Sequence, residues 1–154
     1  MSTATLENAT TLGGVRFTKI YDKNGKHIIT RDANTELEWL PGFVGLLSNE
    51  YSPDCAAAKE CHQLTVGDYK DWRVPTLEEA LSVIGADEFW YWRESGLRIW
   101  TCTPADDHPK EAAWVVKFGT NYSFTASRSV PYHVRPVRGR MRTDATATPK
   151  AGES

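Results

Sequence analysis

The chain has 154 residues, a formal net charge of −2 and 25% charged side chains, which is the composition expected of one globular domain with tails. The small acidic surplus excludes a general nucleic-acid binder, which carries a basic excess, and no run approaches the roughly 18 apolar residues that span a bilayer. Three cysteines without a CxxC pair, four scattered histidines and an N-terminus with no basic or apolar leader point to a reduced compartment, no zinc centre and synthesis in the cytoplasm without a secretion signal.

Residues 1–13 are rich in Ser, Thr, Ala and Asn and have little to bury, so a flexible arm is expected, ordered only by a partner. Residues 141–154 predict a second flexible tail, which leaves 14–140 as the domain. Arg16 to Tyr21 alternates as a strand, and Asn24-Gly25 turns it into a second strand, His27 to Arg31. Asn34 to Trp39 reads as a third strand, with Leu37 and Trp39 on one face, broken by Pro41-Gly42. Ser52-Pro53-Asp54 predicts a helix start with Ser52 as N-cap, and Ala57, Cys61 and Leu64 form its inner stripe. Gly67 follows the end of that helix.

The run from Tyr69 to Leu81 holds the strongest local signals. Pro75 lacks a donor and pushes Val74 towards extended geometry, so Asp71 to Pro75 is a structured loop. Thr76 then caps a helix and Glu79 completes a capping box. The helix is expected to reach Ile84, with Leu77, Ala80, Leu81 and Ile84 facing in and Gly85 as the stop. Phe89 to Trp92 is an aromatic cluster. Leu97 to Thr103 alternates as a strand, Pro104 to Lys110 is a polar loop, and Ala112 to Phe118 is an apolar strand turned by Gly119 to Asn121. Tyr122 to Ala126 and Tyr132 to Arg138 supply two more strands. Two helices among antiparallel strands make an α+β domain, in which Cys61 and Cys102 are expected as small buried hydrophobes.

Six motifs in this order resemble one family. Asp32 to Trp39 resembles the D-x-x-T-G-L-x-W opening of the Lcl C-terminal domain family, and Ala58 to Leu64 its A-x-x-x-C-x-x-L helix. Asp71 to Thr76 resembles its D-W-R-L-P-T signature, Trp100 to Thr103 its W-T-S-T strand, Ala113 to Phe118 its A-W-x-V-x-F strand and Val134 to Arg138 its closing V-R-C-V-R. The resemblance runs from about residue 16 to residue 139. It implies a C-type-lectin-like fold, also resembled by formylglycine-generating enzymes, in which two helices pack on a twisted antiparallel sheet with long loops. Glu36 stands where the family has glycine, so the first turn is expected to differ. Pro136 stands where the family has a cysteine that would bridge to Cys61, which removes about 2–4 kcal/mol for packing to replace.

A structural role is expected for Asp71, Trp72, Arg73, Pro75, Thr76, Glu79, Trp100, Trp114, Arg135 and Arg138. One of Arg135 and Arg138 is expected to meet a carboxylate of the motif region and the other to face solvent, since they lie at i and i+3 of one strand. His108 beside Asp106 and Asp107 reads as a solvated loop, so neither a metal nor another cofactor is expected. Calcium-lectin motifs, P-loops, HExxH and nucleophilic triads are missing, and no catalytic residue is assigned. Ligand contacts are expected from Trp90, Tyr91, Trp92 and Arg93 and from Asn121, Tyr122, Arg128, Tyr132 and His133. Tyr, Trp and Arg anchor interfaces, and lectin-like relatives present variable surfaces in the second region. The expected function is a non-enzymatic binding or structural module. It would be a phage or prophage virion-associated accessory, decoration or receptor-binding protein, with a protein partner or assembly and a homo-oligomeric form. The alternative is a bacterial adhesin-type domain that binds a glycan or protein receptor at the host cell surface. A third reading is a formylglycine-generating-type oxidase, which the cysteine arrangement disfavours. Neither nucleic acid nor a membrane is expected as a partner.

Overall fold

The structure is a computed structural model that describes residues 4–8, 16–84, 86, 97–117 and 122–140. Asp22 shapes the first hairpin: its Oδ1 accepts the N–H groups of Asn24 and Lys26, both within 2.9 Å. Gly25, at φ +84°, then turns the chain between β2 (Phe17–Asp22) and β3 (His27–Asp32). The next strand, β4 (Leu37–Trp39), is shorter than expected, because Asp32 also organises a turn. The Asp32 carboxylate accepts the N–H of Asn34, and its carbonyl accepts that of Glu36. Within the stretch read as a flexible arm, β1 (Ala4–Asn8) pairs with β2. The tail 141–154 lies outside the described residues.

The N-cap of α1 (Ala56–His62) is Cys55, three residues later than the sequence signal placed it. The hydroxyl oxygen of Ser52 accepts the N–H of Asp54 and so caps a preceding turn instead. Ala57 and Cys61 are buried as the i, i+4 spacing predicts, while Leu64 is half-buried beyond the helix end. Helix α2 (Leu77–Leu81) carries the predicted capping box but ends early. The N–H groups of Val83 and Ile84 bond to carbonyls three residues back, which tightens the turn. This rotation buries Val83 completely and leaves Leu81, expected to face in, 41% exposed.

The strands form two sheets rather than one. The first has the order β1-β2-β3-β4-β10, with β10 spanning Val137–Gly139. The second has β5 (Leu46–Leu47), β9 (Tyr132–His133), β6 (Arg98–Pro104), β7 (Ala112–Lys117) and β8 (Tyr122–Ser127), in the order β5-β9-β6-β7-β8. Among the described residues every strand pairing is antiparallel except that of β6 with β9. The single strand expected from Tyr132 to Arg138 is therefore two, one in each sheet. Pro136 offers no N–H to a ladder. The carbonyls of Val134 and Pro136 instead accept the N–H groups of Val44 and Leu40 as the chain crosses between sheets. The result is an α+β fold, mostly sheet with two short helices and no closed barrel among the described residues.

Strand β6 sits at the centre. Trp100 and Cys102 pack with Ala57, Cys61, Ala113 and Val115 on the α1 side. Ile99 packs with Val116, Ala80, Val83, Leu37 and Val137 on the other. A third cluster joins Ile20 and Ile29 of the first sheet to Trp72. Trp39, Trp72 and Trp100 are among the largest fully buried side chains. Each contributes roughly 4–6 kcal/mol of gross transfer free energy. All three cysteines are free and buried.

Candidate functional site

The loop from Asp71 to Thr76 is the clamp of the molecule. Arg73 is extended, and its backbone exchanges two hydrogen bonds with Val137, tying the loop to β10. Its Nη1 and Nη2 donate to the two carboxylate oxygens of Glu79, each at 2.7 Å, and Glu79 is fully buried. The same carboxylate accepts the N–H of Thr76, and the Thr76 hydroxyl oxygen accepts the N–H of Glu79. The carbonyl of Pro75 accepts the N–H of Cys102, and Leu77 donates to the Thr103 hydroxyl, so the cap is fastened to β6. Trp72 is buried with its indole N–H on the carbonyl of Val66.

Arg138 is the counterpart on β10. It donates to both Asp71 oxygens and to Glu38, and its guanidinium lies 3.5 Å from the centre of the Tyr69 ring. The Arg138 guanidinium holds the Asp71 carboxyl below its usual range against a smaller opposing effect of burial. Glu38, which the sequence did not single out, faces Arg31 on β3 and Arg138 on β10 directly across the sheet. Its signal was only its place between two apolar residues of a strand. Arg135, expected at the surface if Arg138 took the carboxylate, is 2% exposed instead. Its Nε donates to the carbonyl of Leu40 and its guanidinium lies over Phe43, because the chain is crossing between sheets at that point. Trp100 is buried with its indole N–H on the carbonyl of Leu47, while Trp114 is half-buried.

Of the expected ligand residues, Trp90, Tyr91, Trp92, Arg93 and Asn121 lie outside the described residues. Tyr122 is 54% exposed and stacks on Phe124, with centroids 5.5 Å apart. Phe124 meets the Tyr132 ring edge to face, and Tyr132 meets Trp100 in the same way. The register explains this ladder: Trp100 pairs with Val115 and Val115 with Phe124, so all three share one sheet face. An aromatic path thus runs from the buried core to an open tyrosine ring. His133 follows Tyr132 in the strand and points to the opposite face, where it packs on Phe43 and pairs with the exposed Leu46. Neighbours in sequence are therefore not brought into one patch.

Arg128 is not on this surface either. It is 4% exposed, with Nε and Nη2 on the carbonyl of Pro109, Nη1 on that of Asn49, and the Tyr51 ring 5.1 Å away. Among the described residues no group of three or more His, Cys, Asp or Glu side chains could hold a metal ion. No helix of these residues is long and apolar enough to cross a membrane. The family model for the Lcl C-terminal domain matches residues 28–138. No curated protein matches the chain.

Proposed function

As the chain belongs to the Lcl C-terminal domain family, we propose that it is a non-enzymatic binding or structural module with a C-type-lectin-like arrangement. Its setting in this reading is a phage or prophage virion, as an accessory, decoration or receptor-binding protein. The observation that carries the binding role is the open ring of Tyr122 at the end of the aromatic ladder. Aromatic rings supply large, stiff contact area at small entropic cost. The charged groups of the motif region, Arg73, Glu79, Glu38, Asp71 and Arg138, are engaged with one another and serve the fold. The lectin-like reading is supported by a first sheet that gathers strands from both ends of the domain, β2 to β4 and β10.

The test is retention of a partner. The full chain, immobilised, is expected to capture a virion protein from a phage-producing host lysate and to lose it on Tyr122→Ala. A chain that stays monomeric and retains nothing from such lysates overturns the reading. The same exposed ring also suits stacking on a sugar, which favours an adhesin-type domain as the second reading. Binding of the isolated chain to host-cell glycans, together with export in cell fractionation, would select it.

A further inference from the structure

Arg128 closes one wall of a pocket of about 50 Å³, whose other lining residues include Asn49, Glu50, Ser52, Cys55 and His62. A guanidinium stays charged in proteins, and a charge taken out of water requires compensation. Arg16, Arg31, Arg73 and Arg138 each hold a carboxylate. Arg128, 4% exposed, holds none among the described residues. Its three hydrogen bonds all go to two backbone carbonyls, of Pro109 and Asn49. A guanidinium has five N–H donors, so about two remain. The Ser52 oxygen already accepts the Asp54 N–H, so its own hydrogen is available. Asn49 is fixed, with Nδ2 donating to the Thr101 carbonyl and Oδ1 accepting the Cys55 thiol at 3.6 Å. At roughly 10–15 Å³ per water, the pocket has room for about three to five heavy atoms.

We propose that this pocket binds a small oxyanion, a carboxylate or an inorganic phosphate, with Arg128 as its counter-ion and Ser52 as a second donor. The site is separate from the Tyr122 surface, and its existence does not depend on the function proposed above. Glu50 lines the same pocket and is exposed, with its carboxylate taking the Ser48 hydroxyl. It weakens the affinity for an anion and so provides a sensitive test.

The experiment is a ¹H–¹⁵N NMR titration of the full chain, once with sodium acetate and once with sodium phosphate, at ionic strength held constant with sodium chloride. Saturable shifts of the Arg128 Nε–H and of the Ser52 and Asn49 backbone amides are expected with at least one of the two. Response to acetate alone identifies a carboxylate ligand, and response to phosphate alone a phosphoryl one. Glu50→Gln is expected to tighten binding roughly two- to fivefold, the range of an exposed charge interaction. Arg128→Gln is expected to abolish it. Should Arg128→Gln fail to fold, Glu50→Gln and Ser52→Ala, which change no buried charge, carry the test by tightening and weakening respectively. Absence of saturation with both anions, or saturation unaffected by Glu50→Gln, overturns the proposal.

Discussion

Glu79 is the residue on which three elements meet, because one carboxylate both caps α2 and pairs with Arg73 of the loop bound to β10. Replacing it leaves Arg73 charged in a largely dry site, with a side chain only 12% exposed. Removing one partner of a buried pair costs about 3–5 kcal/mol. Glu79→Ala is therefore expected to lower the unfolding free energy by about that amount in urea titrations, and a loss below about 1 kcal/mol would contradict the clamp. Asp71 is the exposed counterpart and has a pH signature. Its folded pKa is lowered, chiefly by the hydrogen bond from Arg138, below the ordinary 3.8. The unfolded chain thus takes up the proton first, so the stabilisation is complete above the ordinary value and is lost as pH falls through the folded one. Stability curves of the parent and of Asp71→Asn should converge in that acid range and separate above it. Curves that stay parallel from pH 2 to pH 7 would refute the pairing.

Among the elements, the junction of β4 with β10 carries the clearest backbone constraint. Glu36 enters β4 at φ +64°, a left-handed conformation that costs a side-chain-bearing residue about 1–2 kcal/mol. Its side chain is exposed. Glu36→Gly removes the strain but adds freedom to the unfolded chain, so a net gain of about 0.5–1 kcal/mol is expected. Glycine is what the resemblance placed at this position. Gly139, opposite Leu37 in the ladder and at φ +116°, is the reverse case. A Cβ there would lie 2.9 Å from the carbonyl oxygen of Glu36. Gly139→Ala is expected to cost more than about 1 kcal/mol and to loosen β10. Denaturant midpoints of the two variants, moving in opposite directions, check both.

At the scale of the whole molecule, the second sheet is covered on both faces around β6, and its outer strand β8 begins at the 54% exposed ring of Tyr122. Tyr122→Ala should leave stability within about 0.5 kcal/mol of the parent, as surface changes do, while the proposed partner retention is lost. If the substitution unfolds the chain, Tyr122 belongs to the core and the surface must be sought elsewhere. Unchanged retention by a stable variant would equally remove Tyr122 from the binding surface.

The local determinants were legible because they act within a few residues. Asn24-Gly25 marked the hairpin, Thr76 and Glu79 the capping box, and Pro75 the extended loop. The motif order from Asp32 to Arg138 pointed to the family. Boundaries were less legible where two signals competed: Ser52 and Cys55 both cap, and the fold uses Cys55 for α1. Leu81 and Val83 exchanged roles because a tightened last turn alters the helical period. What only tertiary structure decided was pairing over distance. Nothing local to Arg135 shows that the chain leaves one sheet for the other at Pro136, nor that Glu38 receives arginines from both neighbouring strands. The sequence by itself determined the Asn24-Gly25 turn, the Thr76–Glu79 capping box and the family. The tertiary structure decided which charges are spent on the fold, and that Arg128 is buried beside a pocket while Tyr122 stays open. Burial and ion pairing depend on which strands become neighbours, and that is a property of the folded chain as a whole.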